Sequence, residues 1–310
     1  MQNTGKTFSI YTIEEKITIE NLYKKFVVNK QTSIIESQET YITEIISKSS
    51  INICFNGENT YFSISLKIER PKMNGGKSKK EVEILFCYNK INKKLLAIPI
   101  ITDLQAHIIM RNLNGYFKAE FYNIIPKSKK DLFVSWLYRK EKTALKENEI
   151  FLKKIKAYKC ATDDNIGHFR GKSESTIADY IETMQIIISG YDMGYLKLSV
   201  AYTQAIACDF VLGFYENYNF KVHYTDAILG DNLFKEKITP FEFIIFIVNL
   251  MIPKMYSIFL EENWTEEDML NLRLELSDIV IQQTNEKKEI ILKRLEEIKK
   301  EDKKSSFINE

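Results

Sequence analysis

The segment NIGHFRGKSEST, residues 165–176, gathers a histidine, an arginine, a lysine and three hydroxyls around two of the chain's 11 glycines. Cations and hydroxyls beside the free amides of a helix start are the ingredients of an anion site. His168, Arg170, Lys172 and Ser173 are therefore candidate phosphate ligands in a loop, residues 167–173, ahead of a helix. Asp163 and Asp164 stand close by and offer those cations a neutralising alternative. The blander alternative is a polar helix entry capped by Ser173, Ser175 or Thr176.

Gly-Lys-Ser occurs twice, which raises a P-loop, whose pattern G-x-x-x-x-G-K-[ST] lies between a strand and a helix. At Gly76-Lys77-Ser78 the position of the first glycine is Pro71, and strand-like sequence follows. At Gly171-Lys172-Ser173 the upstream Gly167 is one residue too near. Neither is a Walker motif. No G-x-S-x-G, H-E-x-x-H or G-x-G-x-x-G is present. The histidines His107, His168 and His223 supply no metal set, since His223 and Asp226 lack a third partner. Cys54, Cys87, Cys160 and Cys208 are too scattered for a zinc site or a disulfide framework. No metal, cofactor or catalytic residue is expected. Asp209 and Glu242 stand out because each falls in an apolar stretch. A buried carboxyl with a raised pKa is an acid or base, whereas one at a helix edge or beside a lysine is structural.

Charge is the most informative property of the chain. Net charge is +2. Residues 1–160 hold 28 Lys and Arg against 16 Asp and Glu, whereas residues 161–286 hold 8 against 20. An AT-rich genome enriches lysine everywhere and does not produce that split. Basic residues concentrate in RPKMNGGKSKK (70–80), read as a loop, in NKINKK (89–94), read as a turn, and along a helix read over 129–159. The candidate nucleic-acid contacts are Arg70, Lys72, Lys77, Lys79 and Lys80 in the first, and Arg139, Lys142, Lys146, Lys153 and Lys156 on the last.

The elements that position these residues follow from periodicity. Residues 51–126 read as antiparallel strands: INICF and TYFSISLKIE around Asn56-Gly57, then EVEILFCYN, KKLLAIPII and GYFKAEFYNII. Before them, FSIYTI is compatible with a strand, and ENLYKKFVV and ETYITEIISK with helices. Beyond Pro126 the period lengthens towards 3.6, and helices are expected over 129–159, 176–189, 195–217, 239–260 and from 265 towards 300. Thr176 with Asp179, and Thr265 with Asp268, are placed as capping boxes, and Gly190 as a helix stop. In the apolar run 241–260, Glu242, Asn249, Pro253 and Lys254 leave uninterrupted stretches well short of the ~20 residues that span a bilayer. That run reads as a buried helix with a break near Pro253, and no membrane partner is expected.

The expected fold is α+β: an antiparallel β-rich basic domain over 1–126, a C-terminal helical bundle over 127–300, and a disordered tail over 301–310. The expected function is that of a non-enzymatic cytoplasmic binding protein. Its basic half contacts an anionic partner, nucleic acid foremost, through phosphates and with little sequence specificity. A subunit of an assembly held by basic–acidic contacts, with self-association or a protein partner, is the second expectation. An enzyme taking a phosphorylated substrate at the 167–173 loop is the third.

Overall fold

Alternating apolar and polar residues drive the N-terminal part of the chain into strands. The computed structural model describes residues 6–14, 16–28, 35–37, 40–47, 51–54, 58–71, 76–89, 92–101, 103–113, 115–141, 144–145, 150–161, 168–172, 180–190, 193–202, 206–213, 220–222, 228–229 and 240–308. The chain is α+β, with antiparallel strands leading and helices closing it. It begins with β1 (Lys6–Phe8), β2 (Tyr11–Ile13) and α1 (Ile19–Val28). Then come β3 (Ile35–Ser37), β4 (Thr40–Ser47), β5 (Ile51–Cys54), β6 (Glu58–Pro71), β7 (Lys77–Asn89) and β8 (Lys94–Pro99). After α2 (Asp103–Asn112), β9 (Ala119–Phe121) completes the first sheet.

That sheet runs β3-β4-β6-β7-β8-β2-β9, with β5 paired to β6, and every pairing is antiparallel. Phe62, Ile64, Leu66, Val82, Ile84 and Phe86 turn one way, onto Leu22 and Phe26 of α1 and Ile109 and Met110 of α2. Stacked Phe62 and Phe86 rings, with centroids 4.8 Å apart, sit at the middle of this core. Tyr61, Leu85, Cys87, Leu96 and Ile98 turn the other way into the main core. The expected β5–β6 hairpin forms, its turn at Asn56-Gly57 lying outside the described residues. ENLYKKFVV is the helix α1, but ETYITEIISK belongs to β4, because its β-branched residues pair along β6. Much of the expected 70–80 loop is ladder too, with Arg70 opposite Ser78 and Glu69 opposite Lys79.

Past Pro126, α3 (Lys130–Lys140) is followed by strands: β10 (Ala144–Leu145), β11 (Ile150–Ala161) and β12 (His168–Lys172). The helix α4 (Ile181–Ser189) precedes β13 (Met193–Tyr202), β14 (Ile206–Gly213), β15 (Phe220–Val222) and β16 (Ile228–Leu229). These strands form a second antiparallel sheet, β1-β15-β14-β13-β11-β10, with β12 on β11 and β16 on β14. Two expected helices are therefore corrected. Residues 150–161 are a strand, so among the described residues α3 is the helical part of the expected 129–159 helix. Residues 195–217 hold the β13–β14 hairpin instead of a bundle's central helix.

The apolar run near the C-terminus is a helix, α5 (Pro240–Phe246) and α6 (Ile252–Glu261), joined by a π turn at Ile247–Met251. Pro253 has no N–H and clashes with the turn before it, and the wider π turn relieves that clash. The expected break near Pro253 is this turn. The stretch Phe241–Glu261 is long and apolar enough to cross a membrane, yet 72% of it is buried inside the protein. It lies between the two sheets. On one side Asn249 donates to the Tyr88 carbonyl (3.3 Å) and accepts from the Cys87 thiol (3.9 Å). On the other, Phe246 meets the Tyr202 ring edge-on at 5.5 Å. Phe133 and Trp136 of α3 pack against Phe259.

The chain ends in α7 (Glu266–Ile308), a single helix of 43 residues. Its start is the expected capping box: the Thr265 hydroxyl accepts from the Asp268 amide (3.2 Å), and the Asp268 carboxylate accepts from the Thr265 amide (2.8 Å). Leu272 and Leu276 bury its first turns in the core. Gly190 ends α4 as expected, with φ of 69° and its amide donating to Ile186 and Ile187. The expected Thr176–Asp179 box lies outside the described residues.

Candidate functional site

The two sheets differ in what covers them, and that difference defines the site. In the second sheet, Ile150, Leu152, Ile155 and Tyr158 of β11 face the core with Leu196, Leu198 and Val200 of β13 and Phe210 and Leu212 of β14. Side chains alternate along a strand, so the residues between them occupy the outer face. Pairing then fixes which positions share that face. One cross-strand row reads Lys172 in β12, Ala157 in β11, Lys197 in β13, Val211 in β14 and Lys221 in β15. The adjacent row on one side holds Arg170, Lys159 and Tyr195. On the other side Lys154, Ser199 and Asp209 align. Strands lie about 4.8 Å apart, so Lys172, Lys197 and Lys221 recur every ~10 Å across the sheet.

Asp209 is the single carboxylate residue in the eight strands of this sheet. It is buried, 3% exposed, and two lysines hold it: Lys156 at 2.8 Å and Lys197 at 3.2 Å. Burial alone pushes its carboxyl up, but hydrogen bonds from Lys156, Lys197 and Ser199 and the Lys156 charge outweigh burial and hold it below the usual carboxylate range. Asp209 is thus ionised at neutral pH and cross-links two lysines; it is not a proton donor. Among the residues of this face whose side chains are described, Lys154, Lys156 and Lys197 stand against that one carboxylate, and Lys159, Arg170, Lys172 and Lys221 are placed by register alone.

The sequence-predicted residues divide accordingly. Lys156 lies here, and the strand register sets the anion candidates His168, Arg170 and Lys172 opposite Ala161, Lys159 and Ala157 of β11. The segment 168–172 is a strand and not a loop before a helix, because its backbone pairs with 157–161. Lys153 is exposed at a bulge in β11. Arg139 lies on α3 and pairs with Glu275 of α7, which neutralises its charge locally. Arg70, Lys77, Lys79 and Lys80 belong to the end of the β6–β7 hairpin in the first sheet, with Lys79 and Lys80 exposed. Lys72, Lys142, Lys146 and Ser173 lie outside the described residues, as do Asp163, Asp164, His223 and Asp226.

Sequence reasoning missed Lys154, Lys159, Lys197 and Lys221. The signal was present for Lys197: in YLKLSVAY, residues 195–202, apolar residues fall on every second position. Glu242, the other candidate carboxylate, sits in the first turn of α5. No protein-family model matches the chain, and no curated protein matches it.

Proposed function

We propose that this is a cytoplasmic nucleic-acid-binding protein that holds phosphates on the outer face of its second sheet. One observation carries this: the strand register aligns lysines and one arginine of four strands on one face whose strands contain a single carboxylate, itself neutralised by two lysines. A lysine-rich sheet face reads backbone charge and not base edges, so affinity is weakly sequence-dependent and steeply salt-dependent. Asp209 gives the face a fixed centre by holding the Lys156 and Lys197 ammoniums in place.

Fluorescence anisotropy of labelled single- and double-stranded oligonucleotides, titrated over a salt series, tests the proposal. Binding should weaken linearly in log affinity against log salt. Replacing Lys154, Lys159, Arg170 and Lys172 together by Gln should lower that slope by about 0.7–0.9 for each phosphate left without its cation. The same change at Lys79 and Lys80 should leave it in place. No binding at low salt, or a slope indifferent to the four substitutions, rejects the proposal.

A further inference from the structure

Only the first turns of α7 are packed, and residues 284–300 are exposed on every side. The helix is about 65 Å long at 1.5 Å per residue. A helix standing alone in water is expected to be polar all round, yet this one exposes Leu274 (65%), Ile281 (58%) and Ile291 (59%). Leu270, Leu274, Ile281, Ile291, Leu295 and Ile298 fall on one seam of alternating four- and three-residue steps, with Ser277, Thr284 and Lys288 filling its middle. That is the heptad spacing of a coiled coil. Leu272 and Leu276, which bury the helix against the body, lie on another side, so every apolar residue of the seam is exposed.

We infer that α7 pairs with α7 of a second copy of this chain, as an antiparallel two-helix coiled coil. Charge selects both the partner and the direction. Residues 266–280 carry five acidic residues and one basic, whereas residues 287–304 carry eight basic and five acidic. Antiparallel pairing lays the acidic start of each helix against the basic end of the other, and parallel pairing sets like against like. The seam agrees. Antiparallel, Ile281 meets the second copy's Ile291, Leu274 meets Ile298, and Lys288 lies beside Thr284. Parallel, two Lys288 side chains would meet in the apolar seam, an unfavourable place for like charges. The pairing also places two copies of the basic sheet face in one particle.

The test is the mass of the full-length protein by sedimentation equilibrium across a concentration series. We expect twice 36.4 kDa. The double variant Ile291→Asp, Leu295→Asp lies on the part of α7 that is exposed on every side. It should sediment as monomer while the body of the protein stays folded, read by near-ultraviolet circular dichroism and thermal melting. A wild-type monomer at every concentration, or a dimer that survives the double variant, overturns the inference. Direction is read separately by mixing a Leu274→Cys chain with an Ile298→Cys chain under mild oxidation and identifying linked peptides by mass spectrometry. A disulfide between positions 274 and 298 supports the antiparallel coil; disulfides joining 274 to 274 overturn it.

Discussion

The two eight-stranded sheets of this protein share one central helix and put their outer faces to opposite uses. The first is apolar on both sides: α1 and α2 cover one face and the helix 240–261 lies against the other. The second presents the same kind of apolar face to that helix and leaves its reverse side to Lys154, Lys156, Lys197 and one buried carboxylate. A face covered by helices contributes to stability. The reverse face of the second sheet instead carries an enclosed charge cluster, with Lys156 21% exposed, Lys197 19% and Asp209 5%. On the proposed reading, stability and recognition fall to different sides of different sheets.

The sharpest way to break that contrast is to substitute on each sheet and measure both melting and binding. Phe86→Ala opens the ring stack of the first sheet and should cost about 3–5 kcal/mol, read by denaturant unfolding. Asp209→Asn comes next, at about 2–3 kcal/mol, because Lys156 and Lys197 lose their shared acceptor. Its folded-state carboxyl sits below the ordinary value, so its contribution is complete above that value and fades as pH falls through the lowered one. Acid titration of the melting temperature should show this loss in the wild type, and the Asp209→Asn variant should lack that part of it. Gly190→Ala is smaller, about 1–2 kcal/mol: φ is 69° there, and a methyl would meet the Arg273 guanidinium at 2.9 Å. Arg139→Gln removes an exposed ion pair and should change stability by about 0.5 kcal/mol or less. Chemistry sharpens the contrast further. Burial beneath the first sheet pushes the Cys87 thiol up to about 12, so alkylation at pH 8 should leave Cys87 unmodified until the protein unfolds.

Legibility in the sequence followed the regularity of the strands. In the first sheet, uninterrupted alternation from Tyr61 to Ile68 made β6 readable, and the central helix declared itself by an apolar run punctuated by Asn249 and Pro253. The second sheet was misread for a physical reason. Bulges in β11 between Leu152 and Lys154 and between Ile155 and Ala157 insert extra residues. The core-facing residues thus fall at 150, 152, 155 and 158, and steps of three imitate a helix. In β14 the outer positions Ala207 and Val211 are apolar, which hides the alternation that β13 keeps. Reading β11 as helix put Lys153 and Lys156 in one stripe with Arg139, Lys142 and Lys146, and left Lys154 and Lys159 out of it. It also left Arg170 and Lys172 in a loop, when they lie one strand away from Lys159 and Ala157. Asp209 was noticed as a carboxylate among apolar residues, and its lysine partners come from strands that only the register brings beside it.

The pairing of Lys6 with Val222 carries a consequence for how the protein is made. A ribosome adds about 5–20 residues per second, so β1 must wait on the order of tens of seconds for β15 to leave the exit tunnel. Phe8 and Ile10, fully enclosed in the finished protein, have no second sheet to enter during that interval. Residues synthesised long before β15 are among the last to find their place, and a nascent chain interrupted before Val222 would display them to whatever chaperone stands at the tunnel mouth.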